Sequence, residues 1–417
     1  MSKINNKSLI SYSLLAFCLS FIGLPIYIYL PSYYANNFSI SLQSIALILL
    51  ATRLIDTIQD PIIGILSDKF SSLRRVTICC LSPFLGIAFL LLFYPLKIFN
   101  IELWLTIFLI ITYSLFSIIY INYQSYAVNL TNDYHLKTKV ISYRETSFIV
   151  GIIFAAAAPS ILFKYFSEIT SFLIIGAIYF VLISYFAIIF YKKAPKSDDI
   201  NKKSGDILLV LKNPNLRKYF AIFLLNSISS SIPAVLILFF VEEILGAKDL
   251  AGLFLILYFC GLLFGVALWT KISKILGDKI LTFIISISFT IVTFSWCFFL
   301  KEGDILPYCI ICILSGVGFG GDLTLTSSII TDVIQKDNLE DNKTTIFGIM
   351  NFIVKISLTL ASSTLIYFIG EFKNDPKAQQ EFISFSYALL PMIFRILAMV
   401  ALYKIFKNTR LLEKKML

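Results

Sequence analysis

Three ionisable side chains lie within the second long apolar run of the sequence, and their spacing could form a cation site. Arg53, Asp56 and Asp60 fall on one face if this run is helical. A charge at the centre of a bilayer costs roughly 2.5–3.5 kcal/mol, so these groups must face the interior of the helix bundle, pair with each other or bind an ion. One arginine neutralises one carboxylate, and the second carboxylate suits Na⁺ or H⁺. A purely structural Arg–Asp cluster is the alternative interpretation.

Other polar side chains interrupt later apolar runs. Lys355 lies deep in its run, where its ammonium reaches water poorly, so it should meet an anionic group or a polar solute. Asn226 could contact a solute or form a helix–helix hydrogen bond worth under about 1 kcal/mol. The remaining ionisable residues of this kind are Arg144, Glu145, Asp322 and Arg395, and the sequence identifies no partner for Arg395.

The composition indicates which elements hold these side chains. The chain has 417 residues, of which 58% are hydrophobic and 14% are charged, whereas a soluble domain is usually about half apolar and a quarter charged. Lys and Arg outnumber Asp and Glu by 35 to 25, but they occur in short loops between apolar runs, as in cytoplasmic membrane loops. These features exclude a soluble enzyme, a nucleic-acid-binding protein and a disordered chain. The expected partners are the lipid bilayer and a small-molecule solute.

The apolar runs are long enough to predict twelve transmembrane helices, since a helix needs about 20 mostly apolar residues to cross a bilayer. The N-terminus is short and basic, and the first run is too long for a signal peptide, so it is expected to stay as a membrane helix. Most basic residues lie on one side, which predicts cytoplasmic termini and a plasma (inner) membrane location. The predicted spans are 9–32, 42–67, 76–96, 101–130, 143–165, 170–191, 217–243, 249–270, 279–300, 305–333, 343–370 and 380–405.

A polar central stretch divides these spans into two similar halves. The prediction is a bundle over 1–191, a cytoplasmic central loop over 192–216 and a second bundle over 217–417. Pro25 and Pro233 interrupt the first span of each half, at an offset close to half the chain length. The expected fold is therefore an all-α integral membrane protein with two pseudo-symmetric six-helix bundles. A solute site would lie at the midplane between them.

The sequence offers little material for enzyme chemistry. The single histidine, His135, lies in a polar loop, and all seven cysteines lie inside apolar runs. Haem, catalytic zinc and a Ser-His-Asp triad therefore lack ligands. We expect no enzyme and no cofactor, with Na⁺ or H⁺ as the coupling ion.

Three motifs together resemble the glycoside–pentoside–hexuronide:cation symporters, the melibiose-carrier branch of the major facilitator superfamily. The resemblance covers nearly the whole chain. It implies the major facilitator fold and cation-coupled symport of a sugar or sugar derivative by alternating access. The motifs are Arg53-x-x-Asp56-x-x-Gln59-Asp60-Pro61-x-x-Gly64-x-x-x-Asp68-Lys69 followed by Arg74-Arg75, Leu130-Thr131-x-Asp133-Tyr134, and Gly318-x-Gly320-Gly321-Asp322.

The resemblance also implies where the coupling cation binds. Asp56, Gln59 and Asp60 would form the site, with Ser117 of the fourth span as a further ligand. The family's usual asparagine is Gln59 here, which keeps an amide oxygen but adds a methylene. The choice between Na⁺ and H⁺ therefore stays open.

The resemblance further implies that Arg144 and Lys355 face the solute. Ser20 and Tyr120 stand where the melibiose carrier has acidic sugar-binding residues. Without those carboxylates the hydroxyl clamp for a galactoside is missing. An unopposed cationic pair would instead favour an anionic or less hydroxylated solute.

A second group of residues is expected to be structural or to gate the cytoplasmic side. The turn after the second span would hold that span against the third span through charge pairs. The residues of this group are Arg53, Asp68, Lys69, Arg74, Arg75 and Asp322.

Several other functions fit parts of the pattern. Within transport, the alternative is a major facilitator exporter or a lipid or organic-anion transporter. A non-transporting membrane sensor in a transporter fold would show solute binding without flux. A membrane-embedded enzyme would need a nucleophile–base pair or a metal cluster, which the sequence does not offer. We expect a monomer.

Overall fold

The structure is a computed structural model, and all the regular secondary structure that it describes is helical. This confirms the all-α prediction for the described part of the chain. The described residues are 5–38, 40–96, 100–131, 133–195, 206–247, 250–372 and 375–416.

The helices follow the apolar runs closely. The α-helices are α1 Asn6–Phe21, α2 Leu30–Phe38, α3 Leu42–Lys69, α4 Arg74–Phe93, α5 Ile101–Tyr126, α6 Tyr134–Leu162, α7 Glu168–Lys193, α8 Ile207–Lys212, α9 Pro214–Glu243, α10 Ala251–Leu276, α11 Lys279–Ser295, α12 Ile305–Lys336, α13 Lys343–Glu371 and α14 Pro376–Met416. A π-helix covers Pro25–Tyr29, and short 3₁₀ helices cover Ser71–Leu73, Ala127–Asn129, Trp296–Phe299 and Glu340–Asn342.

Within the described residues, eleven helices are long and apolar enough to cross a membrane. They correspond to eleven of the twelve predicted spans. The remaining predicted span, 42–67, is helix α3, which is not among the eleven. Its 28 residues would still extend about 42 Å at a rise of 1.5 Å per residue, which exceeds the thickness of a bilayer core.

Local sequence signals set the helix ends. The side chain of Ser41 caps α3 by accepting from the Ser44 amide, and Asp133 caps α6 by accepting from the Leu136 amide. Gly277 ends α10 with a φ of 68°, a left-handed conformation that favours glycine. Asp278 then caps α11. The first predicted span, 9–32, is broken at Pro25, where the chain forms a π-helix because proline supplies no backbone N–H.

The chain divides into two compact units. Unit 1 consists of Met1–Val210 and Ile334–Phe352. In this unit α1 packs on α6, α4 packs on α7, and α3 packs on α5. Two buried tyrosines of α2 form hydrogen bonds to α4. The Tyr33 hydroxyl donates to the Phe93 carbonyl and the Tyr34 hydroxyl donates to the Leu92 carbonyl, each at 2.5 Å.

Unit 2 consists of Leu211–Val333 and Ile353–Leu417. Helix α14 packs on α9 and α11 in this unit. Its core contains Phe240 stacked on Tyr387, with ring centroids 4.2 Å apart. The hydroxyls of Tyr387 and Tyr308 are hydrogen-bonded at 2.7 Å. Both helical units therefore have a dense aromatic core.

These units differ from the predicted boundaries in one segment. Residues 334–352 fall in the predicted second bundle, 217–417, but they group with unit 1. The central loop prediction, 192–216, falls partly on residues 196–205, which lie outside the described residues. The three-part division of the chain stays a prediction.

Candidate functional site

The two acids of α3 are buried, and α5 supplies a polar neighbour to one of them. Asp56 and Asp60 are 7% and 0% exposed. The Asp56 carboxylate accepts hydrogen bonds from the Ser117 hydroxyl at 3.1 Å and from the Gln59 amide at 3.0 Å. The structure thus brings three of the four residues of the predicted cation site into direct contact, with Asp60 one turn farther along α3. Their role in cation binding stays a prediction.

The structure adds a fifth polar residue to this group, Ser114, which the sequence did not predict. Ser114 donates to the side-chain oxygen of Gln59 at 2.8 Å. Ser114 and Ser117 are one helical turn apart on α5 and face α3 together. Their spacing indicates a shared helix face, but it does not show that α5 packs on α3.

Arg53 contacts an aromatic ring near the start of this acidic face. Its guanidinium lies 4.4 Å from the ring centroid of Tyr27, which belongs to the π-helix. A cation over a tyrosine face is attracted by the ring quadrupole. The structure thus gives Arg53 an aromatic neighbour that its spacing from the two aspartates did not indicate.

Chemically, this part of α3 and α5 offers carboxylate, hydroxyl and amide oxygens in a buried place. Hard cations take such oxygen ligands, and a carboxylate can alternatively take a proton. Among the described residues, no group of three or more His, Cys, Asp or Glu side chains could hold a metal ion.

Arg144 is paired within its own helix. Its guanidinium donates to one oxygen of Glu145 through Nε at 2.9 Å and Nη2 at 2.5 Å, and both residues are buried. The premise that Arg144 is an unopposed cation is therefore wrong. Adjacent residues on a helix do not normally face each other, so this pair is not expected from spacing alone.

Ser20 and Tyr120 have local contacts within unit 1. The Ser20 hydroxyl donates to the carbonyl of Phe17 in its own helix at 2.9 Å. It lies against Gly151 of α6, where a Cβ would be 2.1 Å from the hydroxyl oxygen. The half-buried ring of Tyr120 stacks on Phe116 with centroids 5.3 Å apart. Neither side chain replaces a sugar-gripping carboxylate, and their contact with a solute stays a prediction.

Unit 2 contains a buried ion pair between α12 and α14. Arg395 donates to Asp322 at 2.7 Å, and both residues are at least nine-tenths buried. The same guanidinium lies 3.4 Å from the hydroxyl of Ser230 on α9. This supplies the partner for Arg395 that the sequence did not identify, because the two residues are 73 positions apart.

The two other predicted solute contacts of the second half also lie in unit 2. Asn226 on α9 is 4% exposed. Lys355 on α13 is half-buried, and Thr359 donates to its backbone carbonyl at 2.9 Å. Lys355 therefore belongs to unit 2, whereas Arg144 belongs to unit 1.

The turn after α3 fixes the start of α13. The Asp68 carboxylate accepts from the amides of Thr344 and Thr345 at 2.9 and 2.7 Å, and from the Thr345 hydroxyl at 2.7 Å. Gly64, one turn earlier on α3, permits this approach, since a Cβ there would lie 2.7 Å from the Thr344 carbonyl. Asp68 therefore acts as a capping group for a helix far away in the sequence.

Arg74 completes this cluster. It lies 3.4 Å from Asp68, donates to the Thr344 hydroxyl at 2.6 Å and donates to Asn122 of α5 at 3.2 Å. Asp68 and Arg74 therefore form a charge pair of the kind predicted for this turn. Most hydrogen bonds to Asp68, however, come from Thr344 and Thr345. The sequence did not predict these two partners.

Arg75 and Lys69 differ in their surroundings. Arg75 donates to the carbonyls of Phe190, Tyr191 and Ala194 at the C-terminal end of α7, where a positive charge is favourable. The Lys69 side chain is exposed. Of this pair, only Arg75 joins two helices.

The model of the family described as MFS/sugar transport protein matches residues 11–408 of the sequence. The chain belongs to this family. It is therefore a major facilitator protein and an integral multi-pass membrane protein.

The fold of this major facilitator protein is shared with solved transporters. A bacterial homologue of the iron transporter ferroportin, in an outward-facing state, gives a TM-score of 0.73 at 14% identity and covers 96% of this chain and 99% of its own. The E. coli fucose:proton symporter FucP gives 0.71 at 14% identity and covers 94% of this chain and 99% of its own. A comparison with curated protein sequences finds no match. These likenesses confirm the predicted major facilitator fold.

Proposed function

We propose that this major facilitator protein is a secondary transporter that couples Na⁺ or H⁺ to the symport of a small polar solute, a sugar or sugar derivative. The proposal takes up the family resemblance to melibiose-type carriers. It is supported most directly by the two buried carboxylates of α3 and by the Ser117 and Gln59 groups that surround Asp56.

The coupling follows from the cost of buried charge. Two carboxylates in a low-dielectric place are unfavourable unless something neutralises them. A cation at Asp56 and Asp60 removes that cost, so closure of the transporter around its contents becomes favourable when the cation is present. If solute and cation each stabilise the same closed state, each raises the affinity for the other. Both then move together.

The charge balance favours a neutral solute over an anion. Glu145 neutralises Arg144, so this side chain does not offer a free positive charge to an acid. A hydroxylated neutral solute can accept from the guanidinium and donate to the carboxylate at once. The FucP protein, which shares the fold, is described as a fucose:proton symporter, and this likeness supports a sugar as the first class to test.

We also propose that the Asp68–Arg74 cluster is part of the cytoplasmic gate. It holds residues 334–352 on unit 1 through the first turn of α13. A transport cycle that opens the cytoplasmic side would have to break these hydrogen bonds. Cytoplasmic termini, a plasma membrane location and a monomeric state belong to the same proposal.

The decisive experiment is uptake by the full-length protein in liposomes with imposed Na⁺ or pH gradients. The probes are labelled D-galactose, D-xylose, L-fucose and D-glucuronate. Concentrative uptake should require one gradient and should be lost in Asp56→Asn and Asp60→Asn. The control is Thr57→Val, which removes a buried hydroxyl that donates to the Arg53 carbonyl within α3 and should retain uptake.

Three results would overturn the proposal. Either aspartate variant could concentrate solute as the wild type does, which would exclude the carboxylates as the coupling site. Efflux without uptake would indicate an exporter. Binding without flux would indicate a sensor.

A further inference from the structure

Unit 2 contains a buried polar cluster that the coupling site does not use. Asn226 on α9, Asp322 on α12 and Arg395 on α14 are 4%, 3% and 6% exposed. Arg395 donates to one oxygen of Asp322 at 2.7 Å and lies 3.4 Å from the Ser230 hydroxyl. The Asn226 side chain faces the Asp322 carboxylate, so three separate helices contribute polar groups to one place inside a membrane protein.

This cluster is incompletely satisfied. Among the described residues, Oδ1 of Asn226, Oδ1 of Asp322 and Nη1 of Arg395 are buried without a hydrogen-bond partner. Buried polar atoms almost always have a partner, and exceptions call for a physical explanation. Two acceptors and one donor left over in the same cluster point to a ligand that both donates and accepts.

The charge of the cluster selects the class of ligand. The Asp322–Arg395 pair is neutral overall, so the cluster does not favour an added ion. A carboxylate or phosphate could accept from Arg395 but would be repelled by Asp322, and an ammonium would meet the opposite conflict. A hydroxyl accepts from a guanidinium and donates to a carboxylate or amide oxygen. Neighbouring hydroxyls on one neutral molecule fit all three groups.

We propose that Asn226, Asp322 and Arg395 form a hydroxyl-binding subsite of the transporter, specific for a neutral polyhydroxylated solute. The inference rests on the proposed transport function and makes its substrate class more specific. In the low-dielectric surroundings of these buried groups, each hydrogen bond to the solute is strong. A solute that lacks one of these hydroxyls leaves a buried protein group without its partner, and the subsite rejects it.

The test removes one polar side chain from the protein and one hydroxyl at a time from the solute, and it asks whether the two effects on affinity depend on each other. Wild-type protein in liposomes is first assayed by counterflow with D-glucose, D-galactose, D-xylose, L-fucose and D-glucuronate. The best neutral sugar is then compared with each of its monodeoxy analogues in wild type, in Asn226→Ala and in a control, Ser229→Ala. Ser229 is also buried on α9 and also bonds to α14, since its hydroxyl donates to the Pro391 carbonyl at 2.8 Å.

The proposal predicts that one deoxy analogue binds roughly tenfold more weakly than the parent sugar in wild type and in Ser229→Ala. In Asn226→Ala that difference should shrink to about twofold or less, because the protein group that meets the missing hydroxyl is already absent. Thermal melting of each purified variant shows that it remains folded.

The alternative is that the ion pair only joins helices, with water at the unpartnered atoms. In that case Asn226→Ala shifts the affinity for parent and analogue equally, and the proposed subsite is refuted. Preference for D-glucuronate over every neutral sugar also refutes it, while leaving coupled transport intact. If no sugar is transported by wild type, the proposed function fails, and the subsite fails with it.

Discussion

Replacing Asp68 by asparagine tests how the start of α13 is held on unit 1. One oxygen of Asp68 accepts from the Thr344 amide, and the other accepts from the amide and hydroxyl of Thr345. Asparagine keeps the shape of the side chain but replaces one oxygen by an amide group that cannot accept. The negative charge beside Arg74 and beside the helix N-terminus is lost as well.

The expected loss follows from the number of hydrogen bonds. If the Oδ2 position becomes the amide, the two bonds from Thr345 are lost. Hydrogen bonds to charged groups contribute about 1.5–3 kcal/mol each. Taking the lower value, the loss is about 3 kcal/mol, which corresponds to roughly a hundredfold change in an equilibrium constant. The loss of charge at the helix N-terminus acts in the same direction.

Hydrogen exchange of the full-length protein measures this directly. Amides in the first turn of a helix have no partner within the helix, so protection at Thr344 and Thr345 depends on Asp68. Exchange of the Thr345 amide should be roughly a hundredfold faster in Asp68→Asn, whose remaining side-chain oxygen can still accept from the Thr344 amide, while peptides from α10 stay unchanged. Lys69→Gln, at the exposed neighbouring residue, should behave as wild type. Less than a threefold change at Thr345 in Asp68→Asn would refute the capping role.

Two further changes test the interior of unit 2. Asp322→Ala leaves Arg395 buried without its carboxylate and should destabilise the protein by about 3–5 kcal/mol. The double variant Asp322→Leu with Arg395→Met should melt close to wild type. Equal melting temperatures for Asp322→Ala and wild type would contradict the buried pair. Gly265→Ala places a Cβ against the backbone of α12 and should lower the melting temperature or abolish folding, while Gly252→Ala on the same helix has open space and should not. Thermal melting in detergent reads out both comparisons, and the second fails if the two glycine variants melt alike.

The sequence determined those features that depend on local spacing. A run of about 20 apolar residues must be helical in a bilayer, because only internal hydrogen bonds can satisfy its backbone there. Helical periodicity placed Asp56 and Asp60 on one face of α3, and the structure buries both. Caps such as Ser41 and Asp133 were also set locally. The family resemblance then indicated Ser117, which no local spacing connects to α3.

Only the tertiary structure decided which distant groups meet. Asp68 caps α13 across 276 positions of sequence, and Asp322 pairs with Arg395 across 73. These contacts depend on which helices are neighbours and on their rotation, and a single apolar helix carries little information about either. The sequence thus determined the helices and the acidic face of α3. Packing decided the partners, because the polar groups in each helix are few and every one of them has several possible neighbours.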